Sequence, residues 1–302
     1  MNRLSRSDRI AVLRCLAEGC SVNSTVRMTG VSQNTVLSFI LDVGAACMAF
    51  EDRMNRNLAC RFIECDEIWG FCGMKQKQVP QERRGELGVG DVWTWVAIDR
   101  ETKLMITYLL GGRDGEHARA LMGDLSRRVV GRPQITTDAL GVYEPAVANA
   151  FERGTVDYVQ LHKSYSHAPD VNARYSPPVC IACEKKKVFG SPDMAKASTS
   201  FVERTNLTIR MTQRRWTRLT NGHSKSFDHM EAAFAFHAMH FNWVRKHATL
   251  KTTPAKAAGL TDREWTLDDV VELVEAEERA AIAAGALKRG SYKPRKPRTN
   301  SN

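Results

Sequence analysis

Three carboxylates in the 302-residue chain occupy positions from which acids far apart in sequence can converge. Asp66 lies inside a β-prone run, FIECDEIW, between apolar neighbours. Asp138 ends a second short run, ITTD. Glu203 opens a basic segment, FVERTNLTIRMTQRRW. Cleavage of a phosphodiester by two divalent cations ~3.5–4 Å apart needs about three such carboxylates. Mg²⁺, a hard cation that takes oxygen ligands and keeps several waters, suits them, and Mn²⁺ should substitute. Spacing alone does not single these acids out. Glu64, Glu67, Asp91, Asp99 and Asp114 compete, each readable as a solvated carboxylate or turn residue, and Asp99 in DRET reads as the latter.

The glutamate segment carries more information. A basic helix is expected from Thr199 to about Leu219. At ~100° per residue, Glu203, Asn206, Arg210 and Arg214 fall within a stripe about 80° wide. One acid on a stripe of donors suits a metal beside a phosphate backbone, and Arg215 extends the cationic run. The alternative is a solvated helix face.

The elements that must position these residues follow from periodicity. Residues 7 to about 50 read as three short helices, with cap-like Ser7 and Ser21 and stops at Gly19 and Gly30. That is the pattern of a helix-turn-helix, and also of a plain three-helix bundle. In the first reading Ser32, Gln33 and Asn34 open the recognition helix, where amide side chains can pair with adenine. Next come the FIECDEIWGF strand, a VWTWVAIDRETKLMITYLLGG hairpin turning at DRETK, the helix EHARALMGDLSRRV, the strand PQITTDAL, the helix GVYEPAVANAFERG and the strand VDYVQLHK. This order implies an α/β layer fold with a mixed sheet. Residues 164–198 read as a long irregular segment, functional or inserted. Helices are expected from Phe227 to about His247 and over TLDDVVELVEAEERAAIAAGAL, before a basic, Pro-rich tail that reads as disordered.

Bulk properties agree with a nucleic-acid partner. The formal net charge is +10, and such an excess favours a polyanion. No signal peptide is expected from MNRLSRSDRI, and no apolar run of the roughly 20 residues that span a bilayer stands out. The eight cysteines form no dense disulfide framework, so a cytoplasmic protein with reduced thiols is expected. Cys180 and Cys183, with His162 and His167 upstream, read either as a zinc site or as two free thiols. His237, His240 and His247 read as packing residues, and Cys65 as a small core residue.

The strings CDEIWGF, DVWTWVAIDRETK, QITTDALGVY, VDYVQLHK and STSFVERTNLTIRMTQRRWTRLTNGHSKS, with HFNWVRKHATLKTTPAKAAGL, resemble the DDE transposases of the IS-one type of bacterial insertion sequence. The resemblance runs from about residue 5 to 265. It implies a ribonuclease-H-like mixed-sheet core with an N-terminal all-α helix-turn-helix domain. The expected domains are 1–55, 60–260 and 261–302. Carried over position by position, the implied triad is Asp66, Asp138 and Glu203, with Arg210 in the basic position seven residues after the glutamate. The implied activity is metal-dependent nicking at an element end, followed by attack of the freed 3′-OH on target DNA. Double-stranded DNA and a second copy of the chain are the implied partners, the latter for synapsis of two ends, in the bacterial cytoplasm at the nucleoid. Founding members carry a zinc ribbon before the helix-turn-helix. This sequence starts at the latter, so a different organisation of end recognition is expected. The alternatives are a non-catalytic, transposase-derived DNA-binding protein or repressor, and a nuclease that cuts without joining.

Overall fold

The computed structural model describes residues 4–86, 88–152, 154–166 and 179–284. Three helices come first: α1 (Arg6–Ala17), α2 (Val22–Thr29) and α3 (Gln33–Met54). Each begins at a serine whose hydroxyl accepts an orphan backbone N–H: Ser5, Ser21 and Ser32. The expected start at Ser7 thus lies two residues early, at Ser5. Gly30 ends α2 in the left-handed region at φ 72°, where a side chain would be strained.

The central layer is a six-stranded mixed sheet in the order β3-β2-β1-β4-β5-β6. The strands are β1 (Phe62–Cys72), β2 (Gly90–Asp99), β3 (Met105–Gly111), β4 (Gln134–Asp138), β5 (Asp157–Ser166) and β6 (Val179–Phe189). β1, β2 and β3 form an antiparallel meander, β4 and β5 run parallel to β1, and β6 is antiparallel to β5. The β2–β3 turn is held as expected by Asp99, which accepts the Thr102 N–H (2.9 Å) and hydroxyl (2.6 Å).

Helices cover both faces. On one, α4 (Gly115–Arg128) and α5 (Tyr143–Ala150) share an apolar cluster with Ile63, Cys65, Trp95 and Ile106 of the sheet. On the other, α6 (Ser200–Thr212) and α7 (Phe227–Met239) pack on Ile68, Val92, Val96 and Ile98. α7 is apolar on two sides because both are buried. Met230, Phe234 and Ala238 face the sheet, while Ala232, Ala235, Phe236 and Met239 belong to the cluster shared with α3. After α7 come a π turn (His240–Val244), the short α8 (Pro254–Ala257) and α9 (Leu267–Ala283), which starts in a Thr266–Asp269 capping box.

Several expectations change here. The segment expected to be irregular over 164–198 contains the end of β5 and all of β6. β6 is an exposed edge strand, so it carries no inward-facing apolar alternation to betray it. Cys180 and Cys183 both lie on it, exposed. The β5–β6 register shifts between them, with Cys183 opposite Lys163 and Cys180 opposite Tyr165, so the two thiols lie toward one face; among the described residues they join no cluster of three metal-ligating side chains. His167 lies outside the described residues, as does the basic tail from residue 285. The helix expected to reach His247 stops at Met239. Burial pushes His237 down to about 3 and His240 to about 4, so both are neutral packing groups.

The stretches expected to separate domains are engaged in the fold. Asn55 is buried and donates to the Ile106 carbonyl (3.2 Å), and Leu58 bridges to Val129. α9 returns to the N-terminal helices, where Arg6 meets Asp268 and Glu272 at 2.7 and 2.8 Å, and Arg53 meets Glu277 at 2.6 Å. Contrary to the sequence reading, one helix, α3, is long and apolar enough to cross a membrane by length and composition. Its Val36, Phe39, Ile40, Val43, Ala46 and Cys47 are buried in the common core.

Candidate metal centre and active-site cleft

Strand register brings the first two acids together. Glu64 pairs with Thr136 across the parallel β1–β4 ladder. Continuing that register by two residues sets Asp66 beside Asp138, where β4 ends. Carboxylate oxygens of Asp66, Glu67 and Asp138 lie within 4.8 Å of one another. Burial first, then the neighbouring charges of Glu67 and Asp138, push the Asp66 carboxyl up to about 7. Negative charge converging in one place is what a divalent cation would relieve.

Glu203 stands on α6 and lines the same open cleft, of about 450 Å³, together with Asp66, Asp138, Arg113, Lys163 and Tyr165. It is not part of the compact acid cluster. Its Oε1 accepts from the Lys163 ammonium and, at 2.6 Å, from the Thr199 hydroxyl. Lys163 reaches it from β5, donating also to Thr199 Oγ1 at 2.7 Å.

Two acids that the sequence reading set aside hold this arrangement in place. Glu64 is 1% exposed, and its Oε2 accepts the backbone N–H groups of Phe201 (2.8 Å) and Val202 (3.0 Å). Thr199, the residue before α6, makes no side-chain cap of its own. The cap comes instead from the sheet, two residues before Asp66, and it fixes the start of the helix that carries Glu203. Glu67 is also buried, and both its oxygens are engaged: Oε1 by Arg113 (2.6 Å), Oε2 by the Tyr143 hydroxyl (3.0 Å). Glu67 is therefore better placed to orient Arg113 than to bind a cation. Arg113 lies 4.0 Å from Asp138 and stacks over Trp93 at 4.5 Å. No signal in the local sequence marks these partnerships, because Arg113 and Phe201 are supplied by remote elements.

The other expected site residues separate into groups. Asn206 donates to Asp66 Oδ2 (2.8 Å), so it orients a carboxylate. Arg210 donates to the carbonyls of Trp216 (3.0 Å) and Trp69 (3.3 Å), which ties α6 to β1. The basic helix is shorter than expected. It ends at Thr212, Gln213 is extended, and Arg214–Trp216 form a separate 3-10 turn. The break lets Trp216 enter the core, where its Nε1 donates to Thr94 Oγ1 at 3.0 Å. Arg214 consequently leaves the stripe; it is exposed, whereas Arg215 is partly buried. Ser32, Gln33 and Asn34 are exposed at the start of α3, with the Ser32 hydroxyl occupied by its capping bond to Thr35 N (3.3 Å).

No family model matches the chain, and no curated protein does. Among solved structures, a piggyBac transposase in a synaptic complex with hairpin DNA, studied by cryo-EM, is 13% identical, with a TM-score of 0.38 over 95% of this chain and 75% of that chain. A likeness of this size carries no argument about function.

Proposed function

We propose that the protein is a divalent-metal-dependent enzyme of DNA phosphodiester transfer, a DDE-type transposase that nicks element ends and joins them to target DNA. The observation that carries the reading is the convergence of Asp66 and Asp138 carboxylate oxygens to within 4.8 Å at the end of β4, with the Asp66 carboxyl pushed up to about 7 by burial and adjoining acids. The donor set is hard oxygen throughout, which fits Mg²⁺ or Mn²⁺.

Asp66 and Asp138 would hold the cations, with Glu203 completing the set from the opposite wall. When bound, such ions supply Lewis acidity and lower the pKa of a coordinated water or 3′-OH. The chain's own groups do the rest. Glu64 holds α6, and Asn206 fixes the rotamer of Asp66. Arg113, braced by Glu67 and Trp93, presents a cation at the rim for a phosphate oxygen. Lys163 neutralises Glu203 and, where Glu203 held a cation, would be free to meet the DNA backbone. Ser32, Gln33 and Asn34, exposed at the N-terminus of α3, are the groups proposed to read base edges as part of a helix-turn-helix.

The test is a strand-transfer assay with labelled element ends in Mg²⁺. Nicked and joined products support the reading. Nicking without joining reduces it to a nuclease. Sequence-specific binding with neither product leaves the non-catalytic DNA-binding alternative.

A further inference from the structure

β1 carries a second feature that the metal centre does not use. Glu67, Trp69 and Phe71 alternate onto one face of the strand, and Trp69 is registered opposite Trp93. At Glu67 that face is covered by Tyr143 of α5. Further along, the helix layer ends, and Trp69, Phe71 and Trp93 are only partly buried. Phe71 stacks on His223 with centroids 4.4 Å apart and planes at 27°, and Trp69 lies 5.7 Å from Phe71.

Trp69, Phe71 and His223 line a cleft of about 770 Å³ together with residues 73–75, 77, 78 and 215–221. Lys75, Lys77, Arg215 and Arg218 line it too, and no acid appears among the described residues that do. At its rim Leu219 is 92% exposed and sits at φ 59°, a left-handed conformation unfavourable for a branched side chain.

We infer that this cleft binds unpaired bases of the DNA strand beside the scissile phosphate, with bases on Trp69 and Phe71 and phosphates on the flanking lysines and arginines. The inference rests on the proposed DNA chemistry and names a subsite for it. Aromatic faces interleaved with cations suit a single strand, which offers a π-face and a phosphate at each step. A duplex hides its base faces and would leave the rings unused. A second copy of this chain, itself +10, would bring more positive charge to a cleft that already lacks acids. Trp69 and Phe71 lie three and five residues beyond Asp66 along β1, roughly 10–16 Å at ~3.3 Å per residue, with their side chains on the opposite face of the strand. Leu219 is placed to wedge apart the last stacked pair, as apolar side chains do when they unstack a base step.

The experiment uses the full chain in EDTA with a short single-stranded deoxyoligonucleotide carrying 2-aminopurine, whose fluorescence falls on stacking, and a blunt duplex of the same sequence. The single strand should be quenched. Trp69→Ala and Phe71→Ala should each weaken single-strand binding about tenfold while duplex binding holds, and Trp69→Phe should restore most of the loss. Leu219→Gly suits the positive φ and leaves the core untouched. It should keep single-strand binding but abolish the fluorescence change that the unaltered protein produces in 2-aminopurine placed in the terminal pair of the duplex. Equal single-strand affinity in Trp69→Ala and the unaltered protein, without quenching, would overturn the assignment. So would loss of a concentration-dependent dimer in Trp69→Ala, which would make the ledge a contact between copies. Chelation keeps the two readings apart. Stacking that persists in EDTA stands even if Mg²⁺ supports no nicking, and nicking without stacking sinks the ledge alone.

Discussion

Asp66 and Glu203 line one cleft but stand in opposite electrostatic situations. Asp66 is crowded by acids, and Glu203 is neutralised by Lys163. Changing Asp66, Asp138 or Glu203 to Ala should abolish nicking and joining together, since both steps use one set of carboxylates. The losses should be non-additive in double mutants. Glu101→Ala, in the exposed β2–β3 turn, is the control, a better one than Asp99→Ala because Asp99 is buried and caps that turn. Joining that survives Glu203→Ala would show that the third ligand lies elsewhere. Lys163 gives a second expectation. As a fixed cation it competes with metal for Glu203, so Lys163→Met should tighten Mn²⁺ binding several-fold in a calorimetric titration without DNA. An unchanged or weaker affinity would mean that Lys163 helps to build the site.

At the scale of elements, the two carboxylate walls are joined by Glu64. Its two backbone bonds hold the start of α6 against β1, and charge-assisted bonds of this kind contribute about 1.5–3 kcal/mol. Glu64→Ala should therefore lower stability by about 2–3 kcal/mol in urea unfolding, whereas Glu64→Gln, which keeps an acceptor, should lose less. Both should reduce activity, Ala more. A Glu64→Ala protein with unchanged stability would remove the cap from the account. Much of the scaffold was legible from periodicity: β1, the β2–β3 hairpin, α4 and the β4 strand ending at Asp138 all stand where alternation or helical spacing put them. The rest was hidden for physical reasons. β6 is an exposed edge strand whose Lys185–Lys187 run has no buried face to reveal a period. α6 stops where Trp216 turns inward, a tertiary demand that helix propensity does not register. Glu64 and Glu67 looked like solvated acids because their partners, Phe201 and Arg113, are distant in sequence.

At the scale of the whole molecule, the N-terminal helices pack against the helix layer of the sheet. Gly44 of α3 crosses α7 so closely that an added Cβ would meet the Ala232 Cα at 2.4 Å. Gly44→Val should accordingly destabilise the entire protein, lowering the thermal midpoint monitored at the sheet as well as at the helices. Next to that crossing, Glu51 joins three elements. It lies at the end of α3, accepts from Asn242 Nδ2 (3.0 Å), and Asn242 in turn bonds both ways to Met105 on β3. Its second oxygen has no partner among the described residues, and burial pushes the carboxyl up to about 8, against the milder opposing effects of Asn242 and Arg128. The sign follows from linkage. A folded-state pKa above the unfolded value means that the fold favours the protonated acid, so the stabilisation is complete below about 4.5 and is lost as pH rises toward about 8. The metal-free Asp66 carboxyl, pushed up to about 7, acts in the same direction over a similar window. Glu51→Gln keeps the shape and the hydrogen-bonding capacity but removes the ionisation. Urea unfolding in EDTA should show the unaltered protein losing stability between pH 5 and 8, by an amount on the order of 3–5 kcal/mol for Glu51 alone at about 1.4 kcal/mol per pKa unit. Glu51→Gln should be the more stable protein at pH 8 and should show a shallower loss of stability across this window than the unaltered protein. Parallel pH profiles for Glu51→Gln and the unaltered protein would show that Glu51 is ionised in the fold and that Arg128 outweighs its burial.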